Sequence, residues 1–386
     1  MNIKMYRREN GSYGARNRIA VIPTVACVNH VVQLIASAVE IADAYTHPYG
    51  CDQLGYDKEL SSKCLAKMGI HPNNGAVLVV GLGCEEILPL DLYKAIKSQQ
   101  PNTELLVMQE VGGTEKTVEI GREICKKFAA KLEGLQKVET DIANLTVGVE
   151  CGGSDFTSGI ASNPAVGVFT EKLTALGGKV VFGETTELMG AEDIIKEHCA
   201  SEEIYNFIVG KIKKVEDIAI DMKVDLRGTQ PSPGNIEGGL STIEEKSLGG
   251  VCKIGRALIV AALEFGDTAT KSGVSFVDTP GNDMACSLGL SAAGAQIIIF
   301  TTGRGTPMGF AAAPVIKVTA NSKVAQLMRE NFDIDLSDIV EGDTSIAAGG
   351  ETIFNQVLAV AEGELTAAEK LGHREFSLYR VSPILT

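Results

Sequence analysis

The sequence predicts an α/β protein built on largely parallel sheets, with a smaller N-terminal α/β domain and a larger C-terminal one. Three observations carry this expectation. Short runs of Val, Ile, Leu and Ala without helical spacing recur along the chain, each stopping at a glycine-rich or polar turn, as buried parallel strands do. Stretches with helical periodicity separate those runs, the alternation expected of βα units. Glycine is abundant at 42 of 386 residues, while aromatics make up only 5% and Trp is absent. That composition suits many tight strand-to-helix turns.

In chain order, residues 1–17 are polar and arginine-rich, with turn residues Asn10, Gly11 and Gly14. RIAVIPTVAC reads as a strand ending at Cys27, followed by a helix from about Val31 to Ile41. AYTHPYGC and AVLVVGLGC read as two more strand ends, closing on Cys51 and Cys84. A helix is expected from Leu88 to Ser98, a strand at ELLVMQEV, and a long amphipathic helix from Thr114 to Leu135. The polar segment LEGLQKVETDIANL marks a boundary near Val138, so the expected domains are 1–137 and 138–386. LTVGVECGGSD, GKVVFGETTE, SGVSFVDTPGND, AQIIIFTTGRG and APVIKVTANS then repeat the same grammar. Helices are expected between them, including Val168 to Leu176 and Lys253 to Glu264.

Composition narrows the function classes. A formal net charge of −14 disfavours nucleic acids and anionic membranes, which demand clustered Lys and Arg. No stretch has the length of a transmembrane helix, and MNIKMYRREN lacks the apolar core of a signal peptide. Nine cysteines, an odd number without an export signal, point to reduced thiols in the cytoplasm.

Four constellations carry chemistry-bearing residues. In an open α/β sheet, ligands bind at the carboxyl ends of the strands. Cys27, Cys51 and Cys84, with His47 and Glu85 nearby, stand at such ends, and thiolates suit iron, iron–sulfur clusters or zinc. Their wide spacing matches no compact zinc finger. Cys151-Gly-Gly-Ser154-Asp155 also follows a strand, where paired glycines let backbone N–H groups face an anion. PSPGNIEGGLSTIEEKSLGG contains a stiff loop with Asn235, then a capping box read as Ser241-x-x-Glu244, with Lys246 in the first turns of the helix. The turns GETTE, DTPGND and TTGRG supply Glu184, Glu187, Asp278, Asp283 and Arg304, the last able to grip a carboxylate as a fork. Arg7, Arg8, Arg16 and Arg18 read as a solvated N-terminal arm, with an acidic sugar as the sharper alternative.

In order, YRRENGSYGARNRIAVIPTVAC, HPYGC, GLGCE, ECGGSDFTSGIASNPA, GETTELMGAED, PSPGNIEGGLSTIEEKSLG, DTPG and TTGRGTPMG resemble the altronate and galactarate dehydratase family, from about Tyr6 to Thr319. The resemblance implies a middle domain and a C-terminal domain of Rossmann-like topology. It also implies that the N-terminal β-clip (SAF-type) piece of longer members belongs to a separate small subunit, and that the chain forms a homodimer or higher oligomer. The implied activity is a hydro-lyase that removes water from altronate or a similar acid such as galactarate. The product is a 2-keto-3-deoxy acid, and the reaction is assisted by Fe2+, an iron–sulfur cluster or Mn2+. On that reading we assign metal binding to Cys27, Cys51 and Cys84 with His47. Catalytic roles go to Asp155 and Glu184 with Cys151 and Ser154, and substrate binding to Arg304, Ser241, Lys246 and Asn235. Two-subunit sulfo-lyases acting on 3-sulfolactate offer an alternative at the same site. A nicotinamide enzyme is disfavoured because no G-x-G-x-x-G follows the first strand. A non-catalytic iron protein would hold metal without turnover.

Overall fold

Buried runs of branched aliphatic residues organise the chain into parallel sheets. The computed structural model describes residues 1–53, 55–226 and 230–381; the end of the expected second domain, 382–386, lies outside them. Two units emerge: Lys4–Thr140 with Phe310–Ala313 and the segment from Arg374, and Met1–Ile3 with Asp141–Gly309 and Pro314–His373.

In the unit formed mainly by Lys4–Thr140, strands β1 (Asn2–Arg7) and β2 (Tyr13–Gly14) pair antiparallel. Strands β3 (Arg18–Pro23), β4 (Ala42–Ala44), β5 (Asn74–Gly81) and β6 (Thr103–Val107) form a parallel sheet in the order β4-β3-β5-β6. Every residue of β5 is buried, as expected of a strand covered on both faces. Val118, Cys125, Phe128 and Leu132 line one stripe of the helix Thr114–Glu133 and join Ile19, Val21, Leu78 and Val80 in the core. The helix expected from Val31 to Ile41 runs instead over Asn29–Ala36. ELLVMQEV is strand only to Val107, then turns once as helix.

Of the four arginines expected in a solvated arm, Arg7 alone is exposed. Arg8 is buried and donates to the carbonyls of Pro72 and Arg16 and to Asn17 Oδ1, while Arg18 grips Asp43 with two bonds of 2.6 and 2.7 Å. Burial lowers the Arg8 pKa to about 10, a cost these carbonyls offset by filling its fork.

The other unit carries a seven-stranded sheet after β7 (Val138–Asp141). Its strands are β8 (Thr146–Cys151), β9 (Lys179–Phe182), β10 (Ile259–Leu263), β11 (Gly273–Val277), β12 (Ile297–Thr301), β13 (Val315–Thr319) and β14 (Ile334–Asp335). The order is β10-β11-β9-β8-β12-β13-β14, and all six pairings are parallel. The chain leaves β8 toward β9 and later returns to the other flank of β8 at β12. That creates a Rossmann-like switch point where loops on either side diverge. One expectation fails here: Lys253 to Glu264 is not a helix. Cys252–Ile254 is a single 3-10 turn, Gly255 reverses the chain at φ 57°, and Ile259–Leu263 is the edge strand β10. Helical spacing of small residues lost to pairing, because the register sets Ala261 against Ser275 and Ala262 against Phe276. No helix among the described residues is long and apolar enough to cross a membrane.

Candidate active site

Two strand ends of the seven-stranded sheet and the helix Ile243–Val251 with its 3-10 continuation converge on one buried polar cluster. Strand β8 ends at Cys151; two residues past β9 comes Glu184; a 3-10 turn, Thr185–Leu188, then brings in Glu187. Glu184 holds a left-handed backbone, φ 67° and ψ 56°, a conformation that costs a residue with a Cβ roughly 1–3 kcal/mol. It persists because the Glu184 N–H donates to Thr279 Oγ1 at 2.7 Å, while its carboxylate accepts the Cys151 N–H at 3.1 and 3.3 Å. The Lys253 ammonium donates to Glu184 Oε2 and lies 3.1 Å from Cys151 Sγ. The Cys151 thiol is 3.2 Å from Glu187 Oε2, and Lys246 Nζ is 2.7 Å from Glu187 Oε1. All five side chains are buried.

Burial sets the electrostatics. It raises Glu184 to about 7, aided by Glu187 and opposed by Lys253. Burial, then Glu184 and Glu187, push the Cys151 thiol well above its usual range. Burial works against the Lys253 ammonium, but Cys151, Glu184 and Glu187 outweigh it and hold Lys253 well above the ordinary lysine value. Glu150 is pushed well above the carboxylate range by burial and by Glu184, and bonds to Ser287. Asp283, desolvated beside Glu187, rises to about 6.

Sulfur and carboxylate oxygens of Cys151, Glu184 and Glu187 lie within 4.8 Å of one another and could hold a metal ion. One thiolate with two carboxylates is a donor set for a divalent transition-metal ion. Lys253 and Lys246 already balance these acids, so a bound ion competes with Lys253 for Cys151 and Glu184.

Of the residues singled out in the sequence, Cys151, Glu184, Glu187 and Lys246 meet here. Lys253 was hidden inside a stretch read as helix, and nothing in SLGGVCKIG flags it. Glu150 had a signal, a lone acid inside the apolar run TVGVEC. Asp155 is buried but committed: Oδ1 accepts from Thr157 Oγ1, Ser158 N–H and Ser158 Oγ, and Oδ2 from Asn321 Nδ2. It is an anchor for the turns after β8 and β13, and Gly303 follows because a Cβ there would fall 2.0 Å from Asp155 Oδ1. Ser154 Oγ donates to the Gly152 carbonyl, and Asn235 Nδ2 donates to the Ser154 carbonyl at 2.9 Å. Arg304 is exposed, and its fork meets Glu237 of the same chain at 2.6 Å. Ser241 is exposed and bonds to Glu245; the helix cap is its neighbour Thr242, whose hydroxyl accepts the Glu245 N–H at 3.1 Å. The helix N-cap is therefore one residue later than the sequence reading, and the Glu245 carboxylate accepts the Ser241 N–H instead of closing a capping box. A cavity of about 240 Å³ opens beside Ser154, Asn163, Lys246 and Gly249. A larger one of about 750 Å³, lined by Met189, Ala219, Ile220 and Ile243, touches no member of the cluster.

In the unit with the four-stranded sheet, Cys27, Cys51 and Cys84 are exposed; Cys27 sits in the 3-10 turn Ala26–Val28 after β3, and Cys51 and Cys84 on loops. His47 does not join them. Its Nε2–H bonds to the Pro23 carbonyl at 2.8 Å and its Nδ1 accepts the Tyr49 N–H at 3.3 Å, so neither ring nitrogen is left for a metal. Burial holds this imidazole neutral, with a pKa lowered to about 4.

Residues 142–384 match the family described as D-galactarate/Altronate dehydratase, C-terminal, and residues 5–133 match D-galactarate dehydratase/Altronate hydrolase, second domain. The chain belongs to the galactarate and altronate dehydratase family. It is similar to the altronate dehydratase of Bacillus subtilis (strain 168), 34% identical over 98% of the chain and 77% of that protein. The altronate dehydratase of Escherichia coli (strain K12) is 32% identical over the same shares. The (2R)-sulfolactate sulfo-lyase subunit beta of Chromohalobacter salexigens is 34% identical over 97% of the chain and 96% of that subunit. Dehydratases of this family are carbon–oxygen lyases.

Proposed function

We propose that the chain dehydrates a sugar acid, altronate or a similar aldonate or aldarate such as galactarate, to a 2-keto-3-deoxy acid. The observation that carries this reading is the buried Glu184–Lys253–Cys151–Glu187 cluster at the strand ends of a chain in a dehydratase family. Elimination transfers the weakly acidic proton beside the carboxylate to a base. The C–H electron pair becomes a C=C bond, hydroxide leaves from the next carbon and is protonated to water, and the enol product tautomerises. Glu184 is the base: raised to about 7, it is substantially ionised near neutrality yet basic enough to accept a proton. Its Oε1 carries only the longer bond from Cys151 N–H and is the freer oxygen. Lys253 offers fixed positive charge to the enediolate that forms. The neighbouring cavity with Lys246 and Ser154 at its wall takes the acid. Fe2+, with Mn2+ as the substitute, would polarise the leaving hydroxyl when bound, and Cys151 and Glu187 are residues that could hold it while Glu184 serves as the base. Nine free thiols support a reducing, cytoplasmic setting.

One observation favours a second reading, (2R)-3-sulfolactate sulfo-lyase. The sulfo-lyase relative matches this chain over nearly its whole length, and its name marks it as one subunit of several. Sulfite, a better leaving group than hydroxide, would depart from the same site. In either case we propose a separate small β-clip subunit as partner and a homo-oligomer of this chain. Altronate, galactarate and sulfolactate assayed side by side decide between them. Turnover of a sugar acid that falls about 10²–10⁴-fold in kcat with Glu184→Gln, at little change in KM, is the expected result. Sulfite release without sugar-acid turnover selects the second reading, and a fully active Glu184→Gln removes the assigned base.

A further inference from the structure

Arg304 is fixed at its root and loose at its head. The turn after β12 is pinned to the turn after β8: the N–H groups of Gly303 and Arg304 both donate to the Gly153 carbonyl at 3.0 Å, and Thr302 Oγ1 donates to it at 3.1 Å. Thr302 Oγ1 also accepts the Gly305 N–H at 3.0 Å. A Cβ at Gly153 would crowd Arg304 Cβ at 3.0 Å, so the glycine lets the two turns lie together. The Arg304 side chain, by contrast, is 39% exposed. Among the described residues its guanidinium makes one bond, from Nη2 to Glu237 Oε2 at 2.6 Å, and that glutamate side chain is 73% exposed. The rest of the fork stays open, whereas Arg18 spends two donors on the buried Asp43. An exposed pair held by one bond contributes little to stability.

The helix Pro233–Glu237 brings Glu237 to this place, and its Asn235 Nδ2 donates to the Ser154 carbonyl at 2.9 Å. Both partners are therefore braced on the Gly153–Ser154 turn, and Ser154 borders the cavity assigned to the acid. Strand order sets the fork relative to the base. Strand β8 lies between β9 and β12, so Glu184 after β9 and Arg304 after β12 flank the turn after Cys151 from opposite sides. Their strands are two spacings apart, about 10 Å.

We propose that Glu237 holds the place of the far carboxylate of a dianionic substrate. An aldarate with its reacting carbon at Glu184 displaces Glu237 and fills the Arg304 fork, while an aldonate, ending there in a hydroxymethyl group, leaves the pair closed. One carboxylate replaces another on the same donors, and Glu237 returns to water. The inference rests on the sugar-acid reading above and makes Arg304 and Glu237 the residues that favour aldarate over aldonate.

The test compares galactarate with altronate on the full chain with Fe2+, reading KM and kcat from steady-state rates and Kd from titration calorimetry, which needs no turnover. Arg304→Gln is expected to weaken galactarate about 10–100-fold more than altronate. Glu237→Gln is expected to tighten galactarate about 2–5-fold by removing the competitor. The double variant should match Arg304→Gln alone. Opposite signs from the two halves of one ion pair are the mark of competition, because a merely structural pair gives losses from both, shared by both acids. Glu237→Gln that weakens galactarate or leaves it unchanged overturns the proposal, as does Arg304→Gln that weakens both acids equally. Galactarate binding with the expected signs but without turnover keeps this inference and removes the proposed function. Turnover of both acids with unmoved affinity ratios does the reverse.

Discussion

Glu184 and Asp155 are both buried carboxylates at strand ends, and their surroundings give them different work. Asp155 spends its oxygens on four bonds from hydroxyl, amide and backbone groups, which fix two turns. Glu184 faces one ammonium and one backbone N–H from a strained backbone, so its protonation is free to change. Lys253 holds this arrangement. Lys253→Met leaves Glu184 buried without its cation, and breaking such a pair costs about 3–5 kcal/mol. The expected result is a midpoint of urea unfolding lowered accordingly, with an unchanged slope.

At the scale of elements, two local devices hold the chemistry in place. The helix Ile243–Val251 begins at Thr242 and carries Lys246 in its first turns, facing Glu187. Thr242→Ala removes the cap and should cost about 0.5–2 kcal/mol, read as a lower melting temperature. The loop after β4 depends on neutral His47. Its pKa falls from 6.5 unfolded to about 4 folded, so between those values only the unfolded chain binds the proton. Stability is then complete above about pH 6.5 and is lost as pH falls toward 4, by about 3 kcal/mol at 1.36 kcal/mol per unit. Denaturant titrations at pH 7, 5.5 and 4.5 should show this slope, and His47→Gln should flatten it.

Across the whole molecule, each unit repeats one plan: a parallel sheet whose carboxyl-end loops carry the reactive side chains. The seven-stranded unit collects acids and ammonium ions in a buried pocket, while the four-stranded unit displays thiols at the surface. The family's two matching segments follow the same division, 5–133 and 142–384. A chain that works with a second subunit should gain turnover when that subunit is added. Equal rates with and without a β-clip subunit, across a range of its concentrations, would remove that partner.

Much of the fold was legible in the chain, because buried parallel strands must be continuous apolar runs and their turns must be Gly, Asp or Asn. RIAVIP, AVLVVG, TVGVEC, QIIIFT and PVIKVT announce themselves in that way, and the strand-end rule puts Cys151 and Glu184 at the carboxyl edge of the sheet, where both lie. Lys253, the bonds that commit Asp155 and the clamp on His47 were not legible. Each depends on partners far away in sequence, such as Lys253 with Cys151 or Asp155 with Asn321, and no local periodicity encodes them. Sequence pattern determines which residues reach the edge of a sheet. Only the packed tertiary structure decides which of them are desolvated together, and desolvation is what lifts the Glu184 carboxyl to about 7 while its acidic neighbours keep Lys253 charged.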